Sequence, residues 1–236
     1  MFTKTADYYD ALYHFKDYQA ACKEIDLFIK HLHPNAGSLL DVGCGTGKHL
    51  LYLKENYYVE GLDLNEELLQ VGRERCPEVT YHYGDMTNFQ LPSLFDVIGC
   101  FFSSIAYIQT VENLNKAVAT MVKHLKPNGL LLIEPWLSPE QYWVGKITAN
   151  YVNQTELKIA WMYTSEIEDN KSVFDIHYMV GTPGGVNTFI EKHIMGLWTE
   201  KQYKEAFEKS GIAANYDAKG FFGRGLYYGI KNNSQI

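Results

Sequence analysis

Cysteine is scarce in this chain of 236 residues: Cys22, Cys44, Cys76 and Cys100 are the four present, and they form no CxxC pair and no zinc spacing. Neither a disulfide framework nor a metal site is therefore expected, and Cys22 and Cys100, on apolar faces, read as small core residues. No Lys/Arg cluster breaks the mixture of charges, and the formal net charge is −7. That balance speaks against a nucleic-acid partner, whose affinity depends on phosphate neutralisation, but it leaves room for a small anion held by one or two cations. Residues 1–15 contain no apolar signal segment, and no run of about 18 apolar residues occurs. A cytoplasmic protein that does not engage a membrane is expected. Repeats and low-complexity tracts are missing as well. What remains is 46% hydrophobic and 21% charged, an ordinary globular balance in a chain long enough for one α/β domain, 1–236, with a sizeable core.

The most informative stretch is Ser-Leu-Leu-Asp-Val-Gly-Cys-Gly-Thr-Gly-Lys-His at 38–49. Apolar Leu39, Leu40 and Val42 predict a buried strand. Gly43, Gly45 and Gly47 predict a tight turn that a ligand can approach closely, and Leu50, Leu51 and Leu53 predict a helix. A P-loop would need a glycine where Val42 stands and Ser or Thr where His49 stands, which argues against a triphosphate. The dinucleotide pattern Gly-x-Gly-x-x-Gly is not matched either. Asp41 followed by Gly-x-Gly-x-Gly resembles the S-adenosylmethionine (SAM) turn of class I methyltransferases. SAM carries an amino-acid tail, whose ammonium and carboxylate need backbone groups and a nearby acid. Asp41, the three glycines and His49 are candidate cofactor residues on that reading.

Along the rest of the chain, residues 6–15 form an aromatic arm (1–15 overall) with Tyr8, Tyr9 and Tyr13, read as a packing lid or as a substrate contact. A helix is predicted over 17–32 from its one-sided apolar spacing. A second strand over 57–62 ends at Asp63, followed by Leu64. A carboxylate there can accept both ribose hydroxyls of an adenosyl group, or it can cap the helix that follows. A short third strand leads to Gly84-Asp85-Met86, where Asp85 could accept the adenine amino group and Met86 could offer its N–H, or Asp85 could serve only the turn. The fourth strand, 95–102, is apolar throughout, as expected of a central parallel strand. It ends in Ser103-Ser104-Ile105-Ala106-Tyr107, where an acceptor should sit. Strand five, 130–133, follows the turn 126–129 and ends in Glu134-Pro135-Trp136. From 151 to 198 the pattern changes to alternating segments, 157–167, 172–180 and 187–198, predicting a small antiparallel β insertion after strand five that could cover the cleft or pair two subunits as a homodimer. A helix over 200–210 and two strands, 212–217 and 225–231, close the chain. They flank Lys219-Gly220-Phe221-Phe222-Gly223-Arg224-Gly225, read either as a functional turn or as a flexible hairpin. The fold class expected is thus α/β, a Rossmann-like class I methyltransferase sheet.

Ser103-Ser104-Ile105-Ala106-Tyr107, Glu134-Pro135-Trp136, Phe174-Asp175-Ile176-His177-Tyr178 and Gly223-Arg224-Gly225-Leu226, with Lys16-Asp17-Tyr18 and Trp198-Thr199-Glu200-Lys201-Gln202-Tyr203, stand in order along the chain. This series resembles the nucleotide-linked amino-sugar N,N-dimethyltransferases of macrolide antibiotic pathways, over nearly the whole length. The resemblance implies SAM as cofactor, a thymidine-diphosphate (dTDP) amino deoxysugar as substrate, and two N-methylations. It maps Tyr18, the three turn glycines, Asp63, Asp85, Met86 and Phe101 to the cofactor. It maps Ser103, Ser104, Tyr107, Tyr178 and Arg224 to the substrate, with Arg224 facing the diphosphate through its planar fork of donors. Three departures surround the sugar pocket: His14-Phe15 replaces a Gly-Arg-Gly run in a shorter arm, Phe221-Phe222 replaces a Pro-Ser pair, and Tyr107 stands where some relatives have histidine.

Methyl transfer is an in-line displacement on an activated sulfonium, so orientation, worth roughly 7–11 kcal/mol, supplies most of the catalysis. The amine must be neutral to attack. Tyr107 with Tyr9 or Tyr13 is expected to hold the nitrogen, with His14 or His177 as proton acceptor. Two other readings stay open. The altered arm could admit another small amine, an amino acid or a guanidino metabolite, or the chain could be a non-catalytic SAM-binding partner module whose added sheet is an interaction surface.

Overall fold

Apolar segments that read as strands pair in parallel at the centre of the computed structural model, which describes residues 4–232. In chain order the elements are α1 (Tyr9–Leu12), α2 (Tyr18–Leu32), β1 (Ser38–Val42), α3 (Lys48–Leu53), β2 (Tyr58–Asp63), α4 (Glu66–Arg75), β3 (Thr80–Tyr83), β4 (Phe95–Cys100), α5 (Val111–Lys123) and β5 (Leu125–Ile133). Then come β6 (Ile147–Asn153), β7 (Lys158–Thr164), β8 (Glu166–Glu168), β9 (Lys171–Thr182), β10 (Gly185–Gly196), α6 (Glu200–Lys209), β11 (Asn215–Asp217) and β12 (Leu226–Ile230). The main sheet has the order β11-β12-β5-β4-β1-β2-β3, with β11 and β12 antiparallel to the rest. This is the expected class I arrangement.

Alternation along each central strand builds a core on both faces. Leu39, Val97, Leu130 and Leu132 pack with Ile25 and Ile29 of α2, Leu50 and Leu53 of α3 and Leu69 of α4. Their neighbours Leu40, Ile98, Leu131 and Ile133 pack with α5 and α6 on the other face. Cys22 and Cys100 lie in these cores, as their apolar settings imply. The helices start where side chains can satisfy free N–H groups: Asp17 accepts from Ala20, Asn65 from Leu68, Thr110 from Asn113, and Thr199 forms a capping box with Gln202. No helix among the described residues is long and apolar enough to cross a membrane.

Strand order reverses between β1 and β4, so the loops leaving their carboxyl ends part and leave a crevice. There the glycine turn meets the segment after β4. Ser104 Oγ donates to Gly43 O at 3.1 Å, and a Cβ on Gly43 would fall 2.6 Å from Ser104 Cβ. Only glycine fits that approach.

The second sheet, β10-β9-β7-β6 with β8 on β9, is antiparallel and shares the α5/α6 core through Val152, Ile159, Phe174 and Ile176. It begins at Ile147, earlier than its sequence pattern implies. Only Val152 of β6 is buried, so that edge strand carries almost no alternation to read. Ser165 divides the expected 157–167 segment, because its hydroxyl turns inward to the Trp143 carbonyl. Two boundaries of the main sheet also differ. β5 starts at Leu125, the 126–129 turn being absorbed as an irregularity against β4 with Asn128 at φ +64°. β4 stops at Cys100, since Phe102 and Ser103 adopt φ +51° and +64°. Those two left-handed residues are held by Glu134 Oε2, which accepts Phe102 N at 2.9 Å, and by Ser103 Oγ, which donates to Pro135 O at 2.6 Å.

Candidate active site

The crevice opens into a cavity of about 350 Å³, within the size range of small-molecule sites. Its floor is the glycine turn, its sides are the ends of β2, β3 and β4, and its roof is the inner face of the second sheet. The arm closes one end. Asp10 of α1 accepts Thr46 Oγ1 at 2.9 Å, binds the Arg75 guanidinium, and lies 3.8 Å from Lys48 Nζ. The arm is thereby tied to the glycine turn itself and sets Tyr9 and Tyr13 into the cavity, their rings 4.7 Å apart.

Gly43, Gly45 and Gly47 adopt φ of +78°, +54° and +70°, which side chains rarely allow. Gly45 N donates to Asp63 Oδ2 at 2.8 Å, and Asn65 N donates to Asp63 Oδ1 at 2.9 Å. The carboxylate is therefore held from behind, with lone pairs left toward the cavity it lines. Asn65 is the residue that caps α4, which separates Asp63 from the capping role that its sequence position also allowed. Burial raises the Asp63 pKa, while the N–H groups of Asn65, Gly45 and Leu64 oppose that rise. Asp85 accepts both N and Oγ1 of Thr87 at 2.8 Å. It makes the turn and lines the cavity beside Met86 and Leu64.

Two buried ionisable groups near the turn lack hydrogen-bond partners among the described residues. Neither oxygen of Asp41 accepts a hydrogen bond, and the nearest cation-forming group, His49 Nδ1, is 3.7 Å away. Burial pushes the His49 pKa down to about 3, with Lys16 adding to the effect, so the imidazole is neutral and does not balance Asp41. Burial also raises the Asp41 pKa, and Asp63 and Glu134 raise it further. Lys16 Nζ is enclosed without a hydrogen-bond partner, over the Phe102 ring and 4.7 Å from the centroid of Phe222. Its pKa is lowered to about 5 by burial and then by Arg224. An unpaired carboxylate just behind the Gly43–Gly45 lining and an unpaired amine on the lining suit the zwitterionic tail of SAM: Asp41 would attract its ammonium from behind the turn and Lys16 would meet its carboxylate. Together with the glycine cradle and the Asp63 oxygens, the residues present fit this cofactor.

On the acceptor side, Arg224 Nη1 donates to Ser103 Oγ at 3.1 Å and the guanidinium lies 4.5 Å over the Trp136 ring. The Gly-rich loop is anchored rather than loose, because Glu134 Oε1 accepts Phe221 N and Phe222 N at 3.2 and 3.1 Å. Trp161, Tyr163, Phe174 and His193 form a ladder of near-parallel rings along the roof, with successive centroids 6.1, 4.7 and 5.5 Å apart. Tyr178 and Ser104 complete the lining. Tyr107 Oη bonds His193 Nδ1 at 2.9 Å.

Some expected site residues stand elsewhere. His14 is exposed and its Nδ1 pairs with Ala11 O at 2.7 Å, because the arm turns helical and points it outward. His177 is exposed on the outer face of β9, since strand alternation sends its neighbour Tyr178 inward. Neither can accept a proton from a ligand in the cavity. Tyr18, Asp41, Gly47, His49 and Phe101 lie behind the wall instead of lining it. Tyr18 packs edge-on to His49 at 5.1 Å, Phe101 fills the space beneath Gly99, and Gly47 abuts Tyr81. They pack behind the wall and support it. Lys16, Asn65, Trp136, Trp161, Tyr163 and His193 line the cavity without having been singled out. Lys16 and Trp136 carried a signal, as the first residue of Lys-Asp-Tyr and the last of Glu-Pro-Trp; the others carried none.

A methyltransferase-domain family model matches residues 39–129. The chain is 38% identical, over 95% of its own length and 97% of the relative's, to a dTDP-3-amino-3,4,6-trideoxy-alpha-D-glucopyranose N,N-dimethyltransferase of Streptomyces venezuelae. It is 37% identical, over 96% and 92%, to a dTDP-4-amino-2,3,4,6-tetradeoxy-D-glucose N,N-dimethyltransferase of Saccharopolyspora spinosa. Among solved structures, the SAM-bound amino pentose methyltransferase CalS10 of Micromonospora echinaspora superposes with a TM-score of 0.87 at 32% identity, covering 95% of this chain and 96% of that one.

Proposed function

Because the chain belongs to the dTDP-amino-sugar N,N-dimethyltransferases, we propose that this SAM-dependent enzyme dimethylates the amino nitrogen of a dTDP-linked amino deoxysugar. The observation that carries the proposal is that the cofactor wall and a cationic, aromatic acceptor wall face each other across one continuous cavity. When bound, SAM supplies an electrophilic methyl group, the C–S bond breaking as the N–C bond forms.

The protein's part is to hold and exclude. Asp63 takes the ribose hydroxyls, Asp85 and Met86 the adenine edge, and Asp41 with Lys16 the amino-acid tail. Arg224, held by Ser103, faces the diphosphate, and the Trp161 and Tyr163 rings at the far end of the roof offer a face to the thymine. Tyr9, Tyr13 and Tyr107 surround the remaining space, where the amine lies, and the arm latched through Asp10 shuts out water. Bringing amine and methyl donor together in a fixed line accounts for roughly 7–11 kcal/mol of the barrier.

Calorimetric titration into the protein saturated with S-adenosylhomocysteine (SAH) tests the nucleotide half. dTDP should bind, and thymidine, lacking the diphosphate, should bind at least about tenfold more weakly, since one charged hydrogen bond is worth about 1.5–3 kcal/mol. No heat with dTDP would point to a different small amine as substrate.

A further inference from the structure

Tyr107, His193 and Glu191 stand in series where the turn after β4 meets β10. Glu191 and His193 are two residues apart on that strand, so both face inward, while Ile190 and Lys192 face out. His193 Nε2 is 3.9 Å from Glu191 Oε2. That oxygen also accepts Thr5 Oγ1 at 2.5 Å, and Oε1 accepts Lys4 N at 3.2 Å. His193 is 2% exposed, Glu191 6% and Thr5 0%. The tautomer with hydrogen on Nε2 directs an N–H toward the Glu191 carboxylate, leaving Nδ1 to accept the Tyr107 hydroxyl. Tyr107 and His193 both line the cavity. Tyr9 and Tyr13 of the arm, Tyr178 of β9, Asp63 of β2 and Arg224 of the loop before β12 are the other titratable or charged groups around Tyr107.

We propose that Tyr107, His193 and Glu191 form a proton relay that strips the substrate nitrogen between the two methylations. The inference rests on the N,N-dimethylation reading. After the first transfer the nitrogen is a secondary ammonium with no lone pair, and a second attack is impossible until one proton leaves. That proton passes to Tyr107 Oη while the Tyr107 hydroxyl proton passes to His193 Nδ1. One N–H bond breaks and one forms, Tyr107 ends unchanged, and no electrons are lost. The imidazolium then lies beside Glu191, and the proton reaches solvent when the arm opens. Burial holds the resting His193 pKa near 4, against the pull of Glu191, so the ring waits neutral. The same desolvation weakens the grip of a buried ammonium on its proton, bringing the two basicities together. The relay thus prevents a cationic substrate from facing the next cationic cofactor.

The test is the product ratio in single-encounter mass spectrometry with a dTDP-amino sugar. His193→Gln still accepts a hydrogen bond but binds no proton. It should raise the ratio of monomethyl to dimethyl product at least about tenfold, with KM for the nucleotide sugar and the affinity for SAH within about twofold of wild type. Glu191→Gln keeps an acceptor for Thr5 and should shift the ratio the same way by less, which serves if the first variant does not fold. Imidazole added to His193→Gly should restore dimethylation. Dimethylation at the wild-type ratio in His193→Gln would overturn the relay alone. So would loss of both methylations in proportion to weakened SAH binding, which marks a packing role. A wild-type enzyme that stops at one methyl would overturn the relay together with the dimethylation reading.

Discussion

Asp63→Ala should weaken SAH binding by roughly 100-fold. Asp63 presents a carboxylate at the tip of β2, fixed by Gly45 N at 2.8 Å and Asn65 N at 2.9 Å. The ribose hydroxyls then meet an acceptor that needs no reorganisation, and the charge-assisted bonds lost together are worth about 3 kcal/mol. Alanine also leaves Gly45 N without its acceptor, loosening the turn that must stay open for the cofactor tail. Asp63→Asn should recover only part of the affinity, because its NH₂ group must confront either Gly45 N–H or Asn65 N–H, a donor against a donor. Helix α4 keeps its own cap through Asn65, so thermal unfolding should change far less than binding. Calorimetry with SAH reads the first effect and a melting scan the second. Unchanged SAH affinity in Asp63→Ala would remove the ribose assignment.

Arg224→Ala should raise KM for the nucleotide sugar by about 100-fold, the cost of losing two charge-assisted bonds to a diphosphate, with SAH affinity nearly unchanged. The guanidinium is braced by Ser103 Oγ at 3.1 Å and by the Trp136 face at 4.5 Å. Ser103 is in turn fixed on Pro135 O. Arg224→Lys should remain at least about tenfold impaired, since an ammonium cannot both keep Ser103 and offer two parallel donors. Removing Arg224 also relieves its repulsion of Lys16, whose pKa it lowers, so SAH binding should not weaken with the loss of the nearby cation. Steady-state kinetics varying each substrate separates the two. A variant that loses SAH affinity and nucleotide affinity alike would place Arg224 in the shared wall instead.

What the chain discloses before folding is what lies close in sequence. Strand, glycine turn and helix at 38–53 announce themselves because one local run must turn left-handed three times. Asp63 could be named because it ends β2, and Asp85 because it follows β3 by two residues. Side-chain direction is another matter. Tyr18, His49 and Phe101 adjoin residues that line the cavity, yet packing turns them behind its wall. His177 and Tyr178 differ by one position and by one whole face of a sheet. His193 reaches Tyr107 across 86 residues, a meeting set by the β9–β10 register and by how the second sheet docks on the first. Nothing periodic in the sequence encodes that docking. The partnerless state of Asp41 and Lys16 is likewise a three-dimensional fact, visible only once every nearby donor and acceptor is assigned.

The most direct measurement is mass spectrometry of acceptors incubated with the protein and SAM, using dTDP 3-amino and 4-amino deoxysugars beside free amino acids and guanidino compounds. The site described here predicts the gain of two methyl groups on a nucleotide amino sugar and none on the free amines. Methylation of a free amine, with every nucleotide sugar unchanged, would contradict it.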